Sequence, residues 1–400
     1  MPDRITKAVA TDLITAEQKI IDMRDKIFLL EPNGYPFITI LNQLGKEVTN
    51  NTRYDWLEDE VFPKTAYARQ TAAQTVPAGG AAGDLILDNL AGDDVNGYFR
   101  PGDVILFFDV SKNLRRARIT TITDGTITTT VHVLMVDTLL ADTLADTSPV
   151  YMIGNAIAEG TGAVEFRALK TVPQWNQTQI FKHTVDFTNT MTAVNTYGGD
   201  YRAYLQRKIG IEHAMDIERA FIFGIRSTPT APAGEPVRLT GGIINSISTN
   251  VSTAAFSEAN LNAFVDMAFA YPGSSDKRKI AFCGSEFIKN INALAITMKL
   301  TLTAKDTAYG VRMMNYISPF GDLELVRHRL FTGEFDKWVL VIDPEDVKYR
   351  FLKNDQKGSR DNRLELDIGA PDVDGIKDQY LTEAGLEMRC EKKHSLWKMQ

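Results

Sequence analysis

The strongest pattern along the chain is helical. Between Asp200 and Gly224, Tyr201, Leu205 and Ile209 recur at i+4, as do Ile217 and Phe221, with Met215 between them. That spacing lays apolar side chains along one stripe of a helix. Asp200 suits an N-cap and Gly224 a stop. Lys208 with Glu212, and Asp216 with Arg219, can pair on the surface. Such a helix spans roughly 35 Å, long for a globular protein, and could act as the spine of a whole subunit. Shorter helices are predicted over Asn260 to Ala270 and Ser285 to Ile296. Lys337 to Ile342, Val347 to Leu352 and Leu381 to Lys393 read as extended segments.

The chain before the spine helix is patterned differently. Arg53-Tyr54-Asp55-Trp56-Leu57 alternates polar and apolar, and residues 164–183 return to an extended pattern. Between them, Thr71 to Gly83 is Ala, Gly, Thr and Gln with one Pro, and is expected to be a mobile loop. Residues 84–150 form a compositional island with ten Asp, no Glu and five bases. Thr, Val and Ile are dense there, and Asp124-Gly125 separates two alternating runs, a hairpin signal. A small antiparallel β module follows, inserted at or near the tip of a long hairpin with arms 52–70 and 164–183. At the other end, Ile14 to Leu30 reads as a short helix. Pro32, Asn33, Gly34 and Pro36 break it, and Tyr35 to Leu41 is apolar enough to dock on a core. The fold class is α+β.

Composition changes this picture little. The chain has 400 residues, 44% hydrophobic and 24% charged, so it is globular rather than disordered or fibrous. Its net charge of −7 argues against tight general binding to nucleic acid or anionic membranes. Cys283 and Cys390 lie far apart and read as plain thiols of a reducing compartment. No signal peptide or run of about 18 apolar residues occurs.

Chemistry is sparse. There is no phosphate-loop, nucleophile-elbow or zinc-protease pattern. The glycines at 79–83 lack a following Lys-Ser or Lys-Thr. The five histidines, 132, 183, 213, 328 and 394, show no ligand spacing. His213 reads as a surface or packing residue, and Arg327-His328-Arg329 as a solvated or ion-paired strand. Asp93-Asp94 and Asp372-Val373-Asp374-Gly375 are the nearest approaches to a calcium loop, and neither completes one. Turn-forming Asp is the simpler reading. No catalytic residue, cofactor or metal is expected.

The order of pieces nonetheless carries a resemblance. An arm ends in Glu31-Pro32-Asn33-Gly34-Tyr35-Pro36-Phe37 and a hairpin carries Arg53-Tyr54-Asp55-Trp56. Trp175-Asn176-Gln177-Thr178-Gln179-Ile180-Phe181 precedes the spine helix. Leu381-Thr382-Glu383-Ala384-Gly385-Leu386-Glu387 and Glu391-Lys392-Lys393-His394 close the chain. This resembles the major head (capsid) proteins of tailed bacteriophages with the HK97-type fold, in particular the SU10-like family. The resemblance implies an N-terminal arm over 1–50 and an extended loop over 51–185, with a β domain inserted at about 84–155. It implies a peripheral domain from 186–235 and 336–400, holding the spine helix 200–224, and an axial domain over 236–335. The implied partners are further copies in hexamers and pentamers of an icosahedral head, double-stranded DNA held without sequence preference, and scaffold, portal and decoration proteins. The implied location is the virion, after assembly in the host cytoplasm, with no membrane. The arm before Pro32 is short, so a scaffold is expected as a separate protein. Lys64 is the only Lys between residues 47 and 111, and no cross-link is expected of it.

A long two-stranded hairpin is not stable alone in water, so it must lie on another surface. Trp56, Phe62, Tyr67, Phe166 and Trp175 are therefore candidate inter-subunit contacts, with packing inside their own subunit as the equal alternative. Two other functions fit the pattern less well. One is the shell of an encapsulin-like nanocompartment; the other is an enzyme with a β-rich accessory domain.

Overall fold

The computed structural model describes residues 36–60, 65–67, 74–88, 99–124, 128–145, 148–163, 171–194, 200–230, 234–271, 278–298, 303–308, 311–354 and 358–400. The chain divides into two compact units, Met1–Trp56 with Gln174–Gln400, and Leu57–Pro173. Helices and strands are mixed, as an α+β fold requires.

The first unit contains two sheets. In one, the order is Lys46–Thr49, Val347–Asn354, Gly375–Met388, Gln179–Thr188. Lys46–Thr49 runs parallel to its neighbour, and the rest of that path is antiparallel. The second sheet has seven strands in the order Val251–Ser252, Ser395–Lys398, Trp338–Ile342, Arg278–Cys283, Asp322–Arg327, Val311–Ile317, Thr303–Ala308. Phe37, Phe221, Phe282, Tyr349 and Leu386 belong to one apolar core, so both sheets, the helix Pro36–Leu44 and the end of the long helix share it. The helices Glu258–Phe269 and Ser285–Met298 join a second core through Phe264, Phe287 and Trp397.

The long helix runs Tyr201–Phe223 and is called the spine helix below. The Asp200 carboxylate accepts from the N–H groups of Arg202 and Ala203, at 3.0 and 3.2 Å, as an N-cap does. Glycine is needed after the last turn, because a Cβ at Gly224 would lie 2.3 Å from the Ala220 carbonyl oxygen. The expected apolar stripe is only half present. Met215, Ile217 and Phe221 are buried, but Tyr201, Leu205 and Ile209 are only partly covered. The first half of the helix lies on polar positions of Gly375–Met388 instead, with Arg202 and Gln206 on Asp378 and His213 on Thr382.

The second unit is an antiparallel sheet in the order Thr65–Tyr67, Pro149–Asn155, Asp103–Phe108, Leu114–Asp124, Thr128–Met135, Ala82–Asp88, with a separate ribbon of Gln74–Val76 and Asp142–Leu144. It has its own core, including Leu85, Phe99, Phe107, Ile119 and Val133. Several Asp residues of the island are structural. Asp109 accepts from the Asn113 N–H at 2.7 Å, closing the turn between two strands. Asp137 holds the fully buried Arg115 at 2.8 Å, while Arg115 also donates to the Pro77 and Leu140 carbonyls. Burial pushes the Asp137 carboxyl up, but the Arg115 bond and the backbone N–H groups of Arg116 and Leu139 outweigh it and hold the group low.

Three local expectations are corrected. A helix begins at Pro36 rather than ending there, because proline's fixed φ suits a first helical turn and its missing N–H is not needed. Within the expected loop, Gln74–Val76 is a strand. Val76 is buried, and the Gln74 side chain both donates to and accepts from the Ile86 backbone. His328 is buried and meets the Glu218 carboxylate at 2.6 Å, so of the two readings of Arg327-His328-Arg329 the ion-paired one holds and the solvated one fails. The short helix expected over 14–30 and the pair Asp93-Asp94 lie outside the described residues.

Candidate functional site

Buried polar side chains gather at the root of the hairpin, among them Asn176, Gln177, Thr178, Glu383 and Glu387. Strands Arg53–Glu58 and Val172–Gln177 pair there, so the chain leaves and re-enters the first unit side by side. Thr65–Tyr67 does not continue that ladder; it pairs with Pro149–Asn155 in the second unit.

The polar run after Trp175 works as a set of backbone clamps. Asn176 Nδ2 donates to the Gly241 carbonyl at 3.0 Å and to the Leu386 carbonyl at 2.6 Å, while its Oδ1 accepts from Gly241 N–H at 2.9 Å. Gln177 Nε2 donates to the Ser227 and Leu239 carbonyls at 2.7 and 3.0 Å. Gln179 Oε1 accepts from Thr240 N–H at 3.1 Å. The segment 176–179 thus fixes the loop after the spine helix and the central strand Gly375–Met388. A run of amides between Trp175 and Ile180 looks exposed in sequence, yet Asn176 and Gln177 are buried because each satisfies unpaired backbone groups.

Tyr54 reaches the same place from the other strand, donating to the Leu386 carbonyl at 2.9 Å. Its ring covers Gly385, where a Cβ would lie 2.5 Å from the Tyr54 hydroxyl and 2.6 Å from the Gln177 carbonyl. Burial, then the nearby Glu387 charge, pushes the hydroxyl far above its ordinary value, so it remains a donor.

Beside this contact the central strand carries buried acids. Glu383 meets Arg360 at 2.7 Å and Arg238 at 3.4 Å, and accepts from the Thr178 hydroxyl at 3.3 Å. Glu387 pairs with Arg389 at 2.6 Å and with Arg350. Glu47 bridges the same two arginines at 2.9 and 3.3 Å. Asp378, further along, is held by Arg202 and Gln206. Burial raises its carboxyl, but the Arg202 and Gln206 bonds and the Asp367 N–H more than offset this and leave it below the usual range. Glu383 and Glu387, four residues apart on a strand, share one face. Their arginine partners are scattered along the sequence, at 238, 350, 360 and 389.

The sequence-predicted contact residues fall out as follows. Trp175 is half-buried, with the guanidinium carbons of Arg53 and Arg226 at 4.2 and 4.0 Å from its ring centroid. Trp56 is half-buried and stacks on Tyr54 at 6.3 Å. Tyr67 lies in a strand whose backbone alone is described, opposite Pro149. Phe62 and Phe166 lie outside the described residues.

These contacts tie strands and loops of the first unit to one another. Among the described residues, no group of three or more His, Cys, Asp or Glu could hold a metal ion. No described helix is long and apolar enough to cross a membrane. Cys283 and Cys390 are free thiols, and burial pushes the Cys283 thiol above its ordinary value, which leaves it unreactive.

The fold is that of the HK97-type capsid proteins. It superposes on the capsid of a native GTA particle with a TM-score of 0.50 at 10% identity, covering 99% of both chains. The capsid of an empty GTA particle gives 0.50 at 12% identity with the same coverage. The chain belongs to the SU10 major capsid protein family, whose model matches residues 5–398. A curated relative, the major capsid protein of Pseudomonas phage PaMx41, is 25% identical over 224 residues, 52% of this chain. The match spans 53%, about half, of that relative's length.

Proposed function

We propose that the chain is a structural building block that assembles with its own copies, as hexamers and pentamers, into an icosahedral phage head around double-stranded DNA. One structural observation supports this above the rest. Residues Leu57–Pro173 fold as a separate unit carried on two paired strands, whose root is clamped to the central strand by Tyr54, Asn176 and Gln177. A separate unit entered and left through two paired strands suits an arm that engages a neighbouring copy. We read 51–185 as that arm, 186–235 with 336–400 as the peripheral domain, and 236–335 as the axial domain. Trp56 and Trp175 are then contacts made at or beside the root. Closed rings of like contacts give symmetric capsomers. A net charge of −7 keeps the wall from gripping DNA that must leave it.

Electron microscopy of the purified chain tests the reading. Closed shells with five- and six-fold capsomers, holding nuclease-protected duplex DNA when recovered from infected cells, are expected. A chain that stays monomeric at high concentration overturns it.

A further inference from the structure

The polar half of the spine helix is joined to the sheet by a pair of histidines. His213 Nδ1 lies 2.9 Å from His183 Nδ1, His183 Nε2 lies 3.0 Å from Asp216 Oδ2, and His213 Nε2 lies 2.7 Å from the Thr382 hydroxyl. Helix, edge strand Gln179–Thr188 and central strand Gly375–Met388 therefore meet in one hydrogen-bonded chain. His213 is almost fully buried and the His183 side chain is about a quarter exposed, so protons enter through His183. The groups around the pair are few. The helix supplies Asp216, which Arg219 also holds at 2.9 Å, and the central strand supplies the Tyr380 ring, 5.9 Å from His213, and Thr382. The Asn362 N–H donates to the Thr382 hydroxyl at 3.1 Å. Arg202 and Asp378 neutralise one another towards the start of the helix.

Two facing Nδ1 atoms form a hydrogen bond only when one of them carries the proton. One added proton is accommodated. His183 then donates from Nε2 to Asp216 and from Nδ1 to His213, which donates onward from Nε2 to Thr382. A second added proton is not, because both Nδ1 atoms would carry hydrogen at 2.9 Å and both rings would be cationic. Burial first, then the His183 charge, lowers the His213 ring to about 4.

We infer that the His183–His213 pair is an acid-operated latch, which clamps the middle of the spine helix, residues 207–216, to the sheet while it holds at most one extra proton and releases it on the second. The end of the helix stays fixed, because Ile217, Phe221 and Ile222 lie in the apolar core. The inference stands on these contacts alone and is independent of the assembly proposed above.

Hydrogen exchange of the full-length chain, corrected for intrinsic rates, tests it between pH 7 and 4. Amides of 207–216 should exchange at least tenfold faster at pH 4, while those of 201–206, held by Asp378, and of 217–223 change little. His213→Phe removes the buried site and should abolish the differential. His183→Gln, which removes the second cation and keeps a donor for His213, should move it to a higher pH. Nitrogen-15 shifts of the imidazoles should show His183 taking the first proton. The latch is overturned by uniform acid exchange along the whole helix. It is equally overturned by a differential that persists unshifted in both variants, or by His213 taking the first proton.

Discussion

Glu218 Oε1 lies 2.6 Å from Nε2 of His328, and both side chains are almost wholly buried. The same carboxylate accepts from the N–H groups of Phe37 and Ile38, the first turn of the helix that starts at Pro36. His328 Nδ1 accepts from Leu330 N–H, which leaves the proton on Nε2 and makes Glu218 the acceptor of all three bonds. A negative charge at a helix N-terminus is favourable, and here it is supplied from 180 residues away in sequence. Glu218→Ala removes it and strands three buried donors. It should destabilise the first unit by roughly 3–5 kcal/mol in denaturant unfolding. Glu218→Gln keeps one acceptor and should fall between the two.

Lys279 is buried among three carbonyls, those of Ala268, Tyr271 and Lys393. Two of them end the helix Glu258–Phe269, where a cation suits the helix dipole. Burial lowers the ammonium to about 8, outweighing the Asp343 charge. The folded value lies below the unfolded one, so stability should rise as pH climbs from about 8 towards 10.5. Lys279→Met removes that desolvation penalty but leaves three carbonyls without their donor. The second effect should win, with a loss of about 1–3 kcal/mol and a flatter alkaline profile in thermal melts.

His394 acts with the same sign in the acid range. Its Nδ1 accepts from Asp343 N–H at 3.2 Å and its Nε2 donates to the Arg389 carbonyl at 3.1 Å, so only the neutral ring fits both. Burial lowers it from 6.5 to about 4. The contribution is whole above pH 6.5 and is lost as pH falls towards 4, reaching about 3 kcal/mol. His394→Gln should be less stable at pH 7 yet lose less on acidification, read from denaturant midpoints at pH 7 and 4.5.

At the hairpin root, Gly385→Ala would drive a methyl into the Tyr54 hydroxyl and the Gln177 carbonyl. It should displace the root strands and expose the 53–58 and 172–177 segments to limited proteolysis. Tyr54→Phe loses one bond to a carbonyl that Asn176 also serves, so it should lose only about 1 kcal/mol. Shells built from Gly385→Ala should dissociate at lower denaturant concentration than those from Tyr54→Phe. Equal behaviour of the two would show that the root does not position the arm.

Much of the frame was legible because local rules sufficed. Asp200 and Gly224 bound the spine helix, and the strand that ends at Asp124 pairs with Thr128–Met135, as the hairpin signal suggests. What stayed hidden depends on distant partners. Glu383 and Glu387 look like a solvated face until Arg238, Arg350, Arg360 and Arg389 are brought to them. His328 beside two arginines looks exposed until Glu218 meets it from the spine helix. Gln74–Val76 has loop composition and becomes a strand only through its pairing with Asp142–Leu144.

The second unit offers the cleanest test of modularity. Leu57–Pro173 has an apolar core of its own and a buried Arg115 tied to Asp137, Pro77 and Leu140. Its size lies well within the range of independent domains. Expressed alone, it should unfold in one cooperative transition. Conversely, Arg53–Glu58 and Val172–Gln177 already run side by side. Replacing residues 61–168 by a short Asn-Gly turn should therefore leave the first unit folded, with a melting temperature within a few degrees of its transition in the whole chain. On the proposed reading the shortened chain should assemble into less stable shells, because the contacts assigned to Leu57–Pro173 are gone. An isolated unit without a cooperative transition, together with a shortened chain that cannot fold, would show that the two parts share one folding unit after all.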